Sequence, residues 1–253
     1  MDRKKLIEET QITIRNRNGM LHNKNLLYWY KQLYSEQFKG FPDFSQKNIL
    51  EVGSGTSPLK LFYSHVKTSD IMELEYLDFV FNAEEIDTFT LIPDNSLDII
   101  SLTNVLHHLR NPCEFLIKAA KKLKAGGMVI FTEPYVSVLS KPLYLYFHYE
   151  STDLHVKKPE LPEVQGPLSS ANNALPYLIF NGPWADALRS TYDFSNKDRR
   201  YFSSLSYMAT GGIRRNFRIP TFIYKPFFYL DLGFSRLFPK LFASFFIQVL
   251  RKP

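Results

Sequence analysis

The run Ile49-Leu50-Glu51-Val52-Gly53-Ser54-Gly55-Thr56-Ser57 constrains this chain more than any other stretch, because an apolar, strand-like tetrapeptide passes straight into a glycine-rich turn. Gly53 and Gly55 let the main chain turn tightly and come close to a ligand, and a helix starting behind the turn presents free N–H groups to it. Turns of this kind sit at the carboxyl end of a strand in a doubly wound α/β sheet, with the ligand lying across the crevice beyond the strand ends.

The surrounding segments support that architecture. Strand-like NILEV, LDFVFNA, LDIISLT and MVIFTEP alternate with helical PLKLFYSHV and EFLIKAAKKL, and KTSDIM reads as a short edge strand. Strands alternating with helices imply a mostly parallel sheet covered on both faces. The helix after LDIISLT is the clearest, with Asn111 as N-cap, Pro112 in the first turn and Gly126 as its terminator. Lys121, Lys122 and Lys124 fall at its C-terminal end, where the helix dipole favours cations.

Three parts follow: residues 1–47 as an N-terminal helical cap, 48–135 as the ligand-binding core, and 136–253 as a substrate-facing insertion with C-terminal strands completing the same domain. The cap has a dense apolar face from Leu26 to Leu33, in which Tyr28, Trp29 and Tyr30 serve either as packing or as a lid. Residues 135–235 are rich in Pro, Tyr, Phe and Asn with weak periodicity, and FFIQVLRK reads as a last buried strand.

Composition removes several classes. With 253 residues, 45% hydrophobic and 22% charged, the chain can bury a core without metal or disulfide staples. Its single cysteine, Cys113, forms no CxxC pair. A polar N-terminus and the lack of a run of roughly 20 apolar residues predict a cytoplasmic protein. The aromatic C-terminal third could still dock on a membrane surface. The net charge of +6 allows an anionic partner without choosing one.

Details around the turn narrow the ligand. Pro58 stands where a dinucleotide fingerprint needs its third glycine. Glu51 beside the turn would repel a pyrophosphate but attract an ammonium or sulfonium, which points to S-adenosylmethionine. Asp70 closes the second strand, where a carboxylate can accept both ribose hydroxyls. Asn82 can donate to and accept from an adenine edge, and Ala83 leaves room for the ring.

Taken in order, ILEVGSGTS, SDI, FNAEEI, IPDNSLDIISLTNVLHHL and CEFLIKAAKKLKAGGMVIFTEP resemble the class I S-adenosylmethionine-dependent methyltransferases, in particular the small-molecule branch with NVLHHL after strand four. The resemblance covers residues 48–135. It implies a Rossmann-like sheet ending in antiparallel strands, with Glu51, Gly53, Ser54 and Gly55 around the methionine part of the cofactor. It places Asp70 and Ile71 at the ribose, Asn82 and Ala83 at the adenine, and Asn104 beneath the sulfonium. Asn82 departs from the aspartate many members carry, and the turn lacks a third glycine. The stretches EPYVSVLSKPLY, HYESTDLH and SYMATGG resemble, faintly, methyltransferases found with bacterial surface-polysaccharide genes.

Methyl transfer to a hydroxyl benefits from a base at the ends of strands four and five. His107, His108 and Glu133 are the candidates there. HYESTDLH adds His148, Glu150, Asp153 and His155, but its spacing matches no zinc pattern, so no metal is expected. Nucleic acid is disfavoured, since Thr103-Asn104-Val105-Leu106 replaces the Pro-Pro-aromatic motif that resemblance to base methyltransferases would require. Lys197, Arg199, Arg200, Arg214, Arg215 and Arg218 could form a basic stripe for phosphate, a sugar nucleotide or a lipid-linked diphosphate. The expected reaction is O-methylation of a small molecule or glycan. The rivals are a nicotinamide-dependent oxidoreductase or epimerase and a non-catalytic interaction protein that keeps the cofactor fold.

Overall fold

The computed structural model describes residues 3–41, 43–195, 198–213 and 219–253. Two helices, α1 (Arg3–Leu21) and α2 (Lys24–Gln37), lead into β1 (Ile49–Val52), and after the one-turn α3 (Leu59–Phe62) come β2 (Lys67–Asp70) and the two-residue β3 (Phe79–Val80). The chain continues through β4 (Leu97–Thr103), α4 (Pro112–Ala119), β5 (Leu123–Pro134), α5 (Ser140–Tyr146) and α6 (Leu175–Asn181). It closes with β6 (Arg199–Phe202), α7 (Ser206–Ala209), α8 (Thr221–Leu237), α9 (Pro239–Phe242) and β7 (Phe245–Arg251).

The seven strands form one sheet in the order β3-β2-β1-β4-β5-β7-β6. The first five pair in parallel, while β7 runs antiparallel to β5 and β6 antiparallel to β7. Both faces are covered, so the central strands β1, β4, β5 and β7 are largely apolar and divide by alternation. Leu50, Val52, Ile100, Leu102, Val129, Phe131 and Phe246 pack into the core on one face. Ile49, Ile99, Ile130, Ile247 and Val249 join Leu26, Trp29 and Leu33 of α2 and Phe228 of α8 on the other. The reversal of chain order between β1 and β4 opens the crevice beyond their carboxyl ends, where ligands bind in sheets of this kind.

Several expectations are corrected. KTSDIM is an inner strand, because β2 pairs with both β1 and β3, and the edge strand β3 is the shorter one. Asn111 does cap α4, accepting from Glu114 N at 3.1 Å, but the helix ends at Ala119, and Gly126 (φ +74°) lies inside β5 at an irregularity in its pairing with β4. Lys121, Lys122 and Lys124 each pair with an acid, Asp87, Asp94 and Asp98 at 3.0, 2.7 and 2.9 Å, which explains the cluster better than a helix dipole. The last two strands do not follow each other directly, since residues 203–244 with α7, α8 and α9 lie between them. The weak periodicity of the insertion hides α8, a helix apolar on two opposite stripes. Tyr224, Phe228 and Leu232 are buried, whereas Phe222, Leu230, Phe234 and Leu237 are exposed.

Candidate active site

The glycine turn is held by side chains from three strands. Gly53 has φ +71°, and a Cβ there would meet Val105 Cγ2 at 2.5 Å, so only glycine fits against the β4 turn. Asp70, at the end of β2, accepts from Gly55 N at 2.8 Å and Met72 N at 3.0 Å. Burial raises the Asp70 pKa, against the pull of those N–H groups. Asn82 caps the next turn, accepting from Glu84 N at 3.1 Å.

Beyond these strand ends lies a cavity of about 530 Å³. Gly53, Ser54, Gly55, Asp70, Ile71, Asn82, Ala83 and Asn104 all line it, as do His107 and His108. Asn104 has φ +57°, and its Oδ1 is buried with no hydrogen-bond partner, which leaves an unsatisfied acceptor at the cavity.

Two predicted residues stand behind the wall instead of lining it. Glu51 follows the β1 alternation onto the face covered by α2, as Ile49 does, and there it accepts from Ser54 Oγ at 2.9 Å and Ser57 Oγ at 2.5 Å. Burial raises its pKa to about 7, although both hydroxyls and the charge of Arg17 act to lower it. Glu133, fully buried, accepts from Val105 N at 2.8 Å and Leu106 N at 2.7 Å and lies 2.5 Å from His107 Nδ1. These three contacts are all to the protein and Glu133 does not line the cavity, so it fixes the turn and the imidazole.

The insertion brings Glu150 to the histidines. Its Oε2 lies 3.5 Å from His107 Nε2, and its Oε1 lies 3.6 Å from His108 Nε2. His108 Nδ1 is 2.9 Å from the carbonyl of Ser170. Burial works to lower the pKa of both imidazoles. In His107 the charges and contacts of Glu133 and Glu150 prevail and raise it to about 10, whereas burial and the neighbouring His107 push His108 down to about 4. Burial would raise the Glu150 carboxyl, but the contact with His107 and the charges of both imidazoles hold it well below the usual carboxylate range. The three groups offer nitrogen and oxygen atoms all within 4.8 Å of one another. Of the rest of HYESTDLH, His148 lines the cavity but its Nδ1 already accepts from Glu150 N, and Asp153 only caps the exposed loop at His155 N.

Sequence reasoning missed the contribution of α1. Thr13 and Asn16 line the cavity, and Arg17 stacks 3.8 Å from the centre of the Tyr76 ring while donating to Ser57 O at 2.5 Å. A polar i, i+4, i+8 stripe of Glu9, Thr13 and Arg17 was the available signal: these residues are buried against loop backbone, as Glu9 accepting from Leu168 N shows. Of the proposed aromatic lid, Tyr30 lines the cavity, Trp29 is core and bonds Ser203 Oγ, and Tyr28 bonds Tyr229. Arg199 and Arg200 bond Gln248, Asn181 and backbone carbonyls, so they make no phosphate stripe. Lys197, Arg214, Arg215 and Arg218 lie outside the described residues.

A protein family described as a methyltransferase domain matches residues 24–164, more than half of the chain. The chain belongs to this family. It is a class I S-adenosylmethionine-dependent methyltransferase with a Rossmann-like sheet, and S-adenosylmethionine is its cofactor. Similar solved structures include a chain of the complex between the Haloferax volcanii Trm112 methyltransferase activator and a methyltransferase, at 12% identity and TM-score 0.54 over 99% of this chain and 97% of the other. An S-adenosylmethionine-dependent methyltransferase from Archaeoglobus fulgidus is 17% identical, with TM-score 0.46 over 88% of this chain and 100% of that one. One from Mesorhizobium loti is 13% identical, with TM-score 0.48 over 87% and 97%. No curated protein matches the sequence significantly. The unpartnered Asn104 Oδ1 suits a cofactor whose amino-acid end carries an ammonium donor.

Proposed function

We propose that this methyltransferase methylates a hydroxyl oxygen of a small molecule or glycan. The observation that carries this reading is the His107–His108–Glu150 cluster, which faces the same cavity as the glycine turn and Asn104. In this reading Ser54 and the Gly53 and Gly55 backbone border the methionine part of the cofactor, and Asn104, which the resemblance puts beneath the sulfonium, accepts from the neighbouring ammonium through its unpartnered Oδ1. Asp70 and Ile71 border the ribose, and Asn82 and Ala83 the adenine. Bound there, the cofactor supplies a sulfonium methyl and a neutral thioether leaving group. The acceptor loses its proton to solvent and gains the methyl, so the chain has to align the acceptor oxygen, exclude water and make the hydroxyl proton easier to remove. The cluster does the last of these. Glu133 is a positioning residue that acts through His107.

The test is a screen of hydroxyl-bearing acceptors for release of S-adenosylhomocysteine, followed by Glu150→Gln. Transfer should fall at least a hundredfold while S-adenosylhomocysteine binding stays within threefold of wild type. Retention of full activity by Glu150→Gln would overturn the role of the cluster.

We infer also that the protein works against an anionic membrane surface. Phe222, Leu230, Phe234 and Leu237 make the outer stripe of α8, and Leu237 is 74% exposed. That stripe continues through α9 onto α5, because Val138 N and Leu139 N bond Lys240 O and Leu241 O, and Tyr146 on α5 is 77% exposed. The exposed charges along both segments are basic, Lys141, Lys225 and Lys240 among them. The single acid, Asp231, is buried and caps Ser204, Leu205 and Ser206. An apolar face fringed by cations fits the interface of an anionic bilayer. No helix among the described residues is long and apolar enough to cross a membrane. Sedimentation with phosphatidylglycerol vesicles should exceed that with phosphatidylcholine vesicles, and a Leu230→Asp, Leu237→Asp double variant should stay in the supernatant.

A further inference from the structure

We propose that His107 Nε2, His108 Nε2 and Glu150 form a binding site for a divalent transition-metal ion of the zinc type, with its remaining position open to the cofactor cavity. Each ligand is fixed from behind. His107 turns its Nδ1 to Glu133 Oε2 at 2.5 Å, His108 turns its Nδ1 to Ser170 O at 2.9 Å, and Glu150 Oε1 accepts from Tyr149 Oη at 2.5 Å. A carboxylate or carbonyl on the far nitrogen selects the tautomer that leaves Nε2 with a lone pair and orients the ring, which is how metal-bound histidines are held. The tautomers follow from these partners.

Both Nε2 atoms face the oxygens of one carboxylate, where a cation can take the place of the proton that His107 shares with Glu150. A charge-assisted hydrogen bond is strongest at about 2.7–2.9 Å. The separations of 3.5 and 3.6 Å are longer than that. They suit ligands sharing one ion: two atoms bound at about 2.0–2.2 Å around a tetrahedral centre lie roughly 3.4 Å apart. Two imidazoles and one carboxylate with an open position match zinc chemistry better than that of magnesium or calcium, which prefer all-oxygen shells. His148 Nδ1 also lies 3.6 Å from Glu150 Oε2, but it is occupied by Asn173 Nδ2 at 3.1 Å and Glu150 N at 3.3 Å, so His148 is not a ligand in this arrangement.

The consequence for catalysis rests on the O-methylation reading above. An acceptor hydroxyl entering the open position would lose its proton to solvent more readily, as metal-bound water does, because an ion held there would act as a Lewis acid. The ligands were not legible within HYESTDLH because that segment supplies only one of the three, the other two coming from NVLHHL.

The experiment is calorimetric titration of chelator-treated protein with Zn²⁺, and with Co²⁺ as a spectroscopic probe, with S-adenosylhomocysteine binding measured on the same samples. Wild type should take up one equivalent of Zn²⁺ and give the visible absorption of four-coordinate Co²⁺. His108→Ala and Glu150→Gln should each weaken Zn²⁺ binding more than tenfold while still binding S-adenosylhomocysteine, which shows that they fold. His155→Ala, on the exposed loop, should bind Zn²⁺ as wild type does. No stoichiometric Zn²⁺ uptake, or uptake unchanged in both ligand variants, overturns the metal site. Protein that binds S-adenosylhomocysteine without Zn²⁺ leaves the methyltransferase reading standing. Protein that binds Zn²⁺ but methylates no hydroxyl keeps the metal site and removes the O-methylation reading.

Discussion

The two walls of the cavity are built by different means. The cofactor wall comes from successive strand ends, the β1 turn, Asp70 on β2, Asn82 after β3 and Asn104 after β4, so sheet topology alone brings its parts together. The acceptor wall joins residues distant in sequence: His107 and His108, Glu133 behind them, and Glu150 and Ser170 from the insertion. The first wall relies mainly on backbone geometry, and the second on buried polar contacts that fail together if one is removed. Variants that uncouple the walls test this difference.

The largest effect is expected at Glu133, the link between them. Glu133→Ala strands Val105 N–H, Leu106 N–H and His107 Nδ1 without their partner in the core. Leaving several buried polar groups unpaired should cost about 3–5 kcal/mol in urea unfolding. A loss below about 1 kcal/mol would mean that the acceptor wall does not depend on its rear support.

Next is the pH dependence set by Glu51. Its carboxyl holds a proton more tightly folded (about 7) than at its ordinary value of 4.5, so between those pH values the unfolded chain binds fewer protons and stability falls as pH rises. At about 1.4 kcal/mol per pKa unit, the loss across that window is roughly 2–3 kcal/mol. Glu51→Gln should remove this slope, so its stability relative to wild type should improve between pH 5 and pH 8. A pH-independent difference between the two would show that Glu51 is not a strained acid beneath the turn.

Asp70→Ala addresses the cofactor wall alone. Losing the acceptor for Gly55 N and Met72 N, and for the ribose hydroxyls in the proposed pose, should weaken S-adenosylhomocysteine binding by about 1–3 kcal/mol in calorimetry. Zn²⁺ uptake should be unchanged, and a matching loss of Zn²⁺ would show that the two walls are one coupled unit.

This contrast also explains what the sequence could convey. The strand order and the residues of the cofactor wall were legible because glycine turns, caps and alternation are local signals. Glu51 lies behind the turn because the β1 alternation carries it, with Ile49, onto the face covered by α2, a placement that strand periodicity encodes. The cluster was legible only as fragments, NVLHHL and HYESTDLH, since no local rule sets the path of residues 136–174. The helix α8 was obscured because its apolar residues lie on two stripes, one facing the core and one facing outward. The polar inner face of α1 was overlooked because its partners are loop carbonyls and N–H groups instead of a hydrophobic core.

The smallest expected effect is at Asn104, where stability and binding should move in opposite directions. Its left-handed backbone (φ +57°) and its unpartnered buried Oδ1 both disfavour the folded protein without cofactor. Glycine would relax the backbone and remove the orphaned acceptor, while its freedom in the unfolded chain would take back part of the gain. The backbone bond from residue 104 N to Thr132 O needs no side chain and should persist. Asn104→Gly should therefore raise cofactor-free stability by about 0.5–1 kcal/mol and lower S-adenosylhomocysteine affinity severalfold. A variant that gains stability with unchanged affinity would show that the strain at this turn serves the backbone path to the acceptor wall, not the ammonium of the cofactor.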